Sequence, residues 1–171
     1  MTLCQPAFAG SKIRITAIAV IDNGAAENSA PIPMVDTVRG LCGSFEDPTP
    51  EPFYDSVVSI SVVNTTRTLA KFKSLSYSLS MNGVPFSSDT IAPGNFFEVP
   101  AGGKATLVAS LFTRIDEGRK FFVGSSDPIP EYAGPIAVNF VLTGKRGRKK
   151  NVSVSATTTV SFSNYNRCLS Q

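Results

Sequence analysis

The chain has 171 residues, of which 42% are hydrophobic and 17% charged, and its net charge at neutral pH is +3. This length allows one domain with its own core, and the small positive charge is too weak to predict nucleic-acid binding. Histidine is absent, so the side chain that most often acts as a general base or binds transition metals is lacking. We therefore predict a protein without enzymatic activity and without a cofactor.

The amino-terminal residues resemble the end of a secretion signal. Ala7-Phe8-Ala9 is an A-x-A arrangement of the kind that signal peptidase accepts. The basic and apolar regions of a complete signal are missing, so we expect Met1 to lie inside a longer precursor. We interpret residues 1–9 as a signal remnant, residues 10–171 as a single domain, and the protein as secreted or periplasmic. No stretch approaches the roughly 20 apolar residues of a membrane-spanning helix.

The three cysteines are Cys4, Cys42 and Cys168, and their wide spacing does not fit a zinc or redox motif. Removal of residues 1–9 would leave Cys42 and Cys168, and we predict that these two form one disulfide in an oxidising compartment. Closing so long a loop would stabilise the fold by about 4 to 5 kcal/mol in the chain-entropy model. The alternative is that Cys42 is a small buried hydrophobe and Cys168 a terminal thiol.

In chain order, alternation of apolar and polar residues from Lys12 to Val20 predicts a first strand. From residue 21 to residue 55 this pattern is replaced by Gly, Pro, Asn and acidic residues. Because proline is excluded from helix interiors and central strands, the prolines at positions 48, 50 and 52 predict an irregular connector. We expect it to cover a sheet edge, and a functional surface is the alternative.

A long alternating segment follows, in which serines from Ser74 onward separate apolar residues that share one strand face, namely Leu75, Tyr77, Leu79 and Met81. Asn82-Gly83 ends this segment and predicts a hairpin turn, because both residues tolerate positive φ. The alternation slips between Phe72 and Leu75, which predicts a β-bulge.

Further alternating segments cover residues 56–63, 84–86, 95–99, 104–112, 136–142 and 151–163. No window has the apolar spacing of a helix. Seven to nine strands with turn signals at short intervals predict an all-β, antiparallel β-sandwich of immunoglobulin-like or fibronectin III-like layout, joined to the long irregular connector. A closed barrel is the structural alternative.

Several motifs occur in a recognisable order between Ser56 and Phe112 and between Ala137 and Phe162. They are an apolar strand that ends in Asn64, the strand Leu75-Ser76-Tyr77-Ser78-Leu79, the turns Met81-Asn82-Gly83-Val84-Pro85 and Val99-Pro100-Ala101-Gly102-Gly103, and Phe140-Val141-Leu142-Thr143-Gly144. This order resembles the late-embryogenesis-abundant (LEA) β-sandwich family of the water-stress and hypersensitive-response (WHy) type. The resemblance implies a non-enzymatic protein that contributes to stress tolerance or shields other macromolecules.

Five cations surround Gly147 at the expected tip of the last hairpin, and these are Lys145, Arg146, Arg148, Lys149 and Lys150. A convex basic tip is suited to an anionic lipid or glycan, whereas we do not expect nucleic acid. The alternative is a solvated turn that prevents edge-to-edge aggregation of strands.

The sequence therefore predicts an extracytoplasmic β-sandwich that acts through surface contacts with a protein or a component of the cell envelope. The alternative function is a structural subunit of a surface assembly or an adhesin. In that case the Pro-rich segment before Asp55 would cover a sheet edge or be exchanged between molecules.

Overall fold

The computed structural model of the chain describes residues 12–22, 34–37, 41–43, 46–50, 55–91, 97–112, 133–148 and 150–163. Strands contain 82% of these residues and none of them is helical. The strands are β1 Ile13–Asp22, β2 Met34–Asp36, β3 Leu41–Gly43, β4 Pro48–Pro50, β5 Ser56–Asn64, β6 Ala70–Met81, β7 Val84–Ile91, β8 Phe97–Val99, β9 Lys104–Phe112, β10 Gly134–Arg146 and β11 Lys150–Ser163. The predicted all-β fold is confirmed.

The strands form two larger sheets and one small one. The first sheet has three antiparallel strands in the order β1-β5-β9. The second has six strands in the order β2-β11-β10-β6-β7, with β8 also paired to β6, and its β2–β11 pair is parallel. Strands β3 and β4 pair separately. Among the described residues no sheet closes on itself, so the barrel alternative is not adopted.

The segment predicted to be an irregular connector, residues 21–55, contains three short strands, β2, β3 and β4. Strand β4 begins at Pro48 and ends at Pro50, which a two-stranded sheet tolerates because both of its strands are edges. A strand of three residues is too short for an alternating pattern, so these three strands were not predicted. Strand β7 also extends beyond the predicted residues 84–86, as far as Ile91.

The side chains of β6 alternate between a buried and a more exposed face, as predicted. Leu75, Tyr77 and Leu79 are at most 3% exposed, and the serines between them lie on the opposite face. The predicted bulge is confirmed, because the β6–β10 register shifts between Thr143 and Gly144, so that Lys73 is the extra residue of β6. The bulge moves the apolar residues after it to the buried face.

Aromatic rings from both larger sheets meet in one core. The ring of Tyr77 on β6 meets the ring of Phe112 on β9 edge-on, with 5.9 Å between centroids. Phe112 in turn meets Phe162 of β11 at 5.7 Å. Burying a side chain of this size stabilises a fold by about 1.5 to 3 kcal/mol. The three rings therefore hold the two larger sheets together.

Cys42, on β3, is disulfide-bonded. Cys168, its predicted partner, lies outside the described residues, as do Cys4 and residues 1–9. The Cys42–Cys168 pairing therefore stays a prediction. In the part of the chain that the structure describes, no helix has the length and apolar character needed to span a membrane.

Candidate anion-binding surface

The predicted basic tip lies where β10 passes into β11. Arg146 pairs with Lys150, and Gly147 between them has a φ of 59°, a left-handed conformation that glycine adopts without strain. The amide N–H of Gly147 donates to the carbonyl oxygen of Leu69, with an N···O distance of 3.0 Å. This hydrogen bond joins the hairpin tip to residues 65–69, the turn before β6.

Four of the five predicted cations lie in the described residues. Lys145, Arg148 and Lys150 are exposed, and Arg146 is half-buried. The fifth, Lys149, lies outside the described residues. The hairpin thus brings the four described cations together, and the exposed ones are accessible to an external partner.

Strand β6 adds two cations beside the hairpin. Lys71 is the register partner of Lys145 on β10, and Lys71 and Lys73 are both exposed. Because Lys73 is the extra residue of the bulge, both lysines can face solvent while Leu75 is buried.

The three-stranded sheet contributes cations at the same end. Arg14 of β1 and Lys104 of β9 pair with Val63 of β5 from either side, and both cations are exposed. Lys12, just before β1, is held by the amide of Thr65, which donates to the Lys12 carbonyl oxygen at 2.7 Å. These cations are distant in sequence from the hairpin and were not predicted.

We call this end of the two larger sheets the basic end. All described lysines and arginines belong to it, and they are Lys12, Arg14, Arg67, Lys71, Lys73, Lys104, Lys145, Arg146, Arg148 and Lys150. In the described part of the two larger sheets, Glu98 of β8 is the one carboxylate at the basic end, and it forms an ion pair with Lys71. The other described acids of these sheets lie at the opposite end or halfway along, at positions Asp22, Asp36, Asp55 and Asp89.

A buried asparagine fixes the turns of the basic end. Asn64, the last residue of β5, has no exposed surface. Its Nδ2 donates to the carbonyl oxygens of Thr68 at 2.9 Å and Val99 at 3.1 Å. Its Oδ1 accepts from the amide of Thr66 at 3.0 Å and from the Thr66 hydroxyl at 2.7 Å. The buried amide group is therefore fully hydrogen-bonded, as buried polar groups require.

Main-chain hydrogen bonds extend this network to the turn at residues 100–103. The amide of Asn64 donates to the carbonyl oxygen of Gly103, and the amide of Gly102 donates to that of Thr66, both at 2.9 Å. Since Val99 belongs to β8 and Asn64 to β5, the network joins the two larger sheets. The turns that carry cations of both sheets are thus joined by one hydrogen-bond network around Asn64, which we call the hydrogen-bonded frame.

Sequence reasoning found the hairpin cations and missed the other six, namely Lys12, Arg14, Arg67, Lys71, Lys73 and Lys104. The sequence shows only that these six residues lie in turns or near the starts of strands. Which turns share an end of the molecule depends on the pairing of strands that are not consecutive. Within the described ranges, no group of three or more Cys, Asp or Glu side chains could hold a metal ion.

No family model matches the chain, and no curated protein matches it. Among solved structures, the chain is similar to a Northeast Structural Genomics Consortium target, with a TM-score of 0.49, 10% identity and coverage of 88% of this chain and 86% of that chain. It is also similar to Pseudomonas fluorescens alkylpurine DNA glycosylase AlkC, bound to DNA containing an abasic-site analogue. That match has a TM-score of 0.40, 11% identity and coverage of 85% of this chain and 31% of that chain.

The second similarity contradicts our prediction that the chain is not an enzyme. The matched protein is a DNA glycosylase, and the prediction is withdrawn. At a TM-score of 0.40 and 31% coverage of the glycosylase, the similarity assigns no reaction to this chain.

Proposed function

We propose that this chain is an extracytoplasmic domain that binds an anionic component of the cell envelope through its basic end. The proposal rests on the position of all described lysines and arginines at one end, where the described part of the two larger sheets has one carboxylate, Glu98. Such a concentration of one charge sign attracts anions and raises their local concentration. The hydrogen-bonded frame around Asn64 supports the proposal, because it fixes the turns that carry the cations.

We also propose that the two larger sheets form a β-sandwich of immunoglobulin-like or fibronectin III-like layout, similar to domains of the LEA/WHy type. A stress-protective role would then be exercised through contacts of the same surface. The disulfide at Cys42 supports a secreted or periplasmic location, because disulfides persist in oxidising compartments. Peptide mapping without reductant tests the pairing, and we expect a fragment that links Cys42 to Cys168.

Retention on heparin and on anionic vesicles, measured across a salt series, tests the proposed binding. We compare the natural protein with a variant in which Lys145, Arg146, Arg148, Lys149 and Lys150 are all replaced by Ser. We expect retention at low salt, loss of retention as salt screens the charges, and weaker retention of the variant. A natural protein that binds neither heparin nor anionic vesicles at low salt overturns the proposal.

The alternative function is a structural subunit of a surface assembly or an adhesin. It is favoured by the position of β9 at the edge of the order β1-β5-β9, where Val108 is 64% exposed. An edge strand with an exposed apolar side chain can pair with another chain. Sedimentation velocity over a concentration series tests this alternative, because a polymerising subunit forms larger species as its concentration rises, whereas a monomer does not.

A further inference from the structure

We propose that the anionic partner is the flat surface of a lipid bilayer rich in anionic headgroups, and that the basic end docks on it as a whole. In this arrangement the basic ends of both larger sheets contact the bilayer, and the strands extend from its surface toward the solvent. The inference rests on the proposed function, and it adds the class of the partner and the residues that meet it.

The cations of the basic end are distributed over an area. Arg14 and Lys104 lie on either side of Val63, so their backbones are two strand spacings apart, about 10 Å. In the other sheet Lys71 and Lys145 are register partners, one strand spacing or about 5 Å apart. The two sheets are joined at this end by the Asn64 network. The charged groups therefore form a patch that extends in two directions.

An uncharged tip lies within this patch. Pro100, Ala101 and Gly102 are exposed and come just before Lys104. The tip is fixed, because the amide of Gly103 donates to the carbonyl oxygen of Pro100 at 3.1 Å. Small apolar groups flanked by lysine and arginine suit the bilayer interface, where apolar atoms enter the headgroup region and the cations meet phosphates.

A linear anionic glycan fits this arrangement less well. Such a chain contacts cations along one stripe, and the β10–β11 hairpin with Lys71 supplies a stripe of that kind. Lys12, just before β1, and Arg14 and Lys104 of the three-stranded sheet would have no contact with a chain bound along that stripe. A planar surface can meet both groups of cations at once.

The experiment measures binding to vesicles of mixed phosphatidylglycerol and phosphatidylcholine, with pure phosphatidylcholine vesicles as the uncharged reference. One triple variant removes charges from the three-stranded sheet, and its substitutions are Lys12→Ser, Arg14→Ser and Lys104→Ser. A second removes the exposed hairpin cations, and its substitutions are Lys145→Ser, Arg148→Ser and Lys150→Ser. Each cation close to an anionic bilayer contributes about fivefold in affinity, so we expect each triple variant to bind on the order of 100-fold more weakly.

A third triple variant is the matched control for net charge. Ala133→Asp, Ser88→Asp and Ser110→Asp lower the net charge by the same amount at exposed positions away from the basic end. We expect this control to lose far less vesicle affinity than the other two variants. Circular-dichroism melting of all three variants shows that each is folded at the assay temperature.

Two results overturn the docking proposal. If the three-stranded-sheet variant binds vesicles as tightly as the natural protein, the hairpin alone carries binding, and the proposed function stands without the inference. If the natural protein binds heparin in a salt-dependent way but not the anionic vesicles, the partner is a glycan and the inference fails. Failure to bind either probe contradicts the proposed function itself.

Discussion

The two ends of the larger sheets are stabilised by different interactions. At the basic end the buried side chain of Asn64 bonds to the carbonyl oxygens of Thr68 and Val99 and joins the sheets through polar contacts. At the opposite end the rings of Phe112 and Phe162 meet at 5.7 Å and join the sheets through apolar contacts. The apolar core is common to both ends, and the basic end adds the polar network of Asn64 to it.

This difference separates stability from binding. At the basic end the cations lie on the exposed strand positions and turns, outside the buried apolar residues and the hydrogen bonds of Asn64. At the opposite end the sheets meet through large buried rings, and removing such a ring costs more than removing a hydrogen bond. Substitutions at the two ends should therefore have different consequences, and the following predictions are ordered by the size of the expected effect on stability.

Phe112→Ala is expected to have the largest effect, because it removes a fully buried ring that meets both Tyr77 and Phe162. We expect a loss of about 3 to 5 kcal/mol in the free energy of unfolding, measured by urea denaturation. The matched control on the same strand is Val108→Ala, at a 64% exposed position, which we expect to cost far less. Equal losses in the two variants would show that the aromatic cluster does not join the sheets.

Asn64→Ala is expected to affect both stability and binding. It removes the donor to the Val99 carbonyl oxygen and the acceptor of the Thr66 amide, and we expect a loss of about 2 to 3 kcal/mol in unfolding free energy. Because the frame under the cations is lost, affinity for anionic vesicles should fall although no charge is removed. The control is Asn151→Ala, at an exposed position of β11. A variant that is destabilised but binds as tightly as the natural protein would contradict the role of the frame.

Gly144→Ala tests the close approach of β6 and β10 beside the bulge. A Cβ on Gly144 would lie 2.6 Å from Cα of Phe72 and even nearer to the carbonyl oxygen of Lys71, so the two strands must separate. We expect a loss of about 2 kcal/mol in unfolding free energy, measured by urea denaturation. The comparison variant is Gly102→Ala, where an added Cβ meets nothing within 4 Å and the cost comes only from a φ of 64°. A smaller loss at Gly144 than at Gly102 would contradict the packing argument.

Much of the six-stranded sheet could be predicted from neighbouring residues in the chain. Leu75 and Leu79 are buried as their alternation predicts, and Asn82 has the expected positive φ, at 50°. The slip after Phe72 corresponds to the bulge at Lys73. These features are local, because side-chain alternation and turn conformation depend on residues close in sequence.

The basic end could be predicted only in part, because it depends on contacts between distant segments. Local sequence places Lys145 and Arg148 at a turn. It does not show that Arg14 lies at the same end, since that requires β1 to pair with β5 and β6 to pair with β10. Such registers are set by how both sheets fill the common core, which no local pattern encodes.

Glu98→Gln is the smallest change and the most specific test of the charge difference between the two ends. It removes the ion pair between Glu98 and Lys71. Because these side chains are 46% and 49% exposed, the free energy of unfolding should change by about 0.5 kcal/mol or less. Affinity for anionic vesicles should instead increase by about fivefold at low salt. The reason is that Glu98 is the one negative charge in the described part of the basic end, and the substitution removes it. The control is Asp89→Asn on β7, halfway along the sheet. An equal gain in both variants would mean that net charge, rather than the arrangement of charge at one end, determines binding.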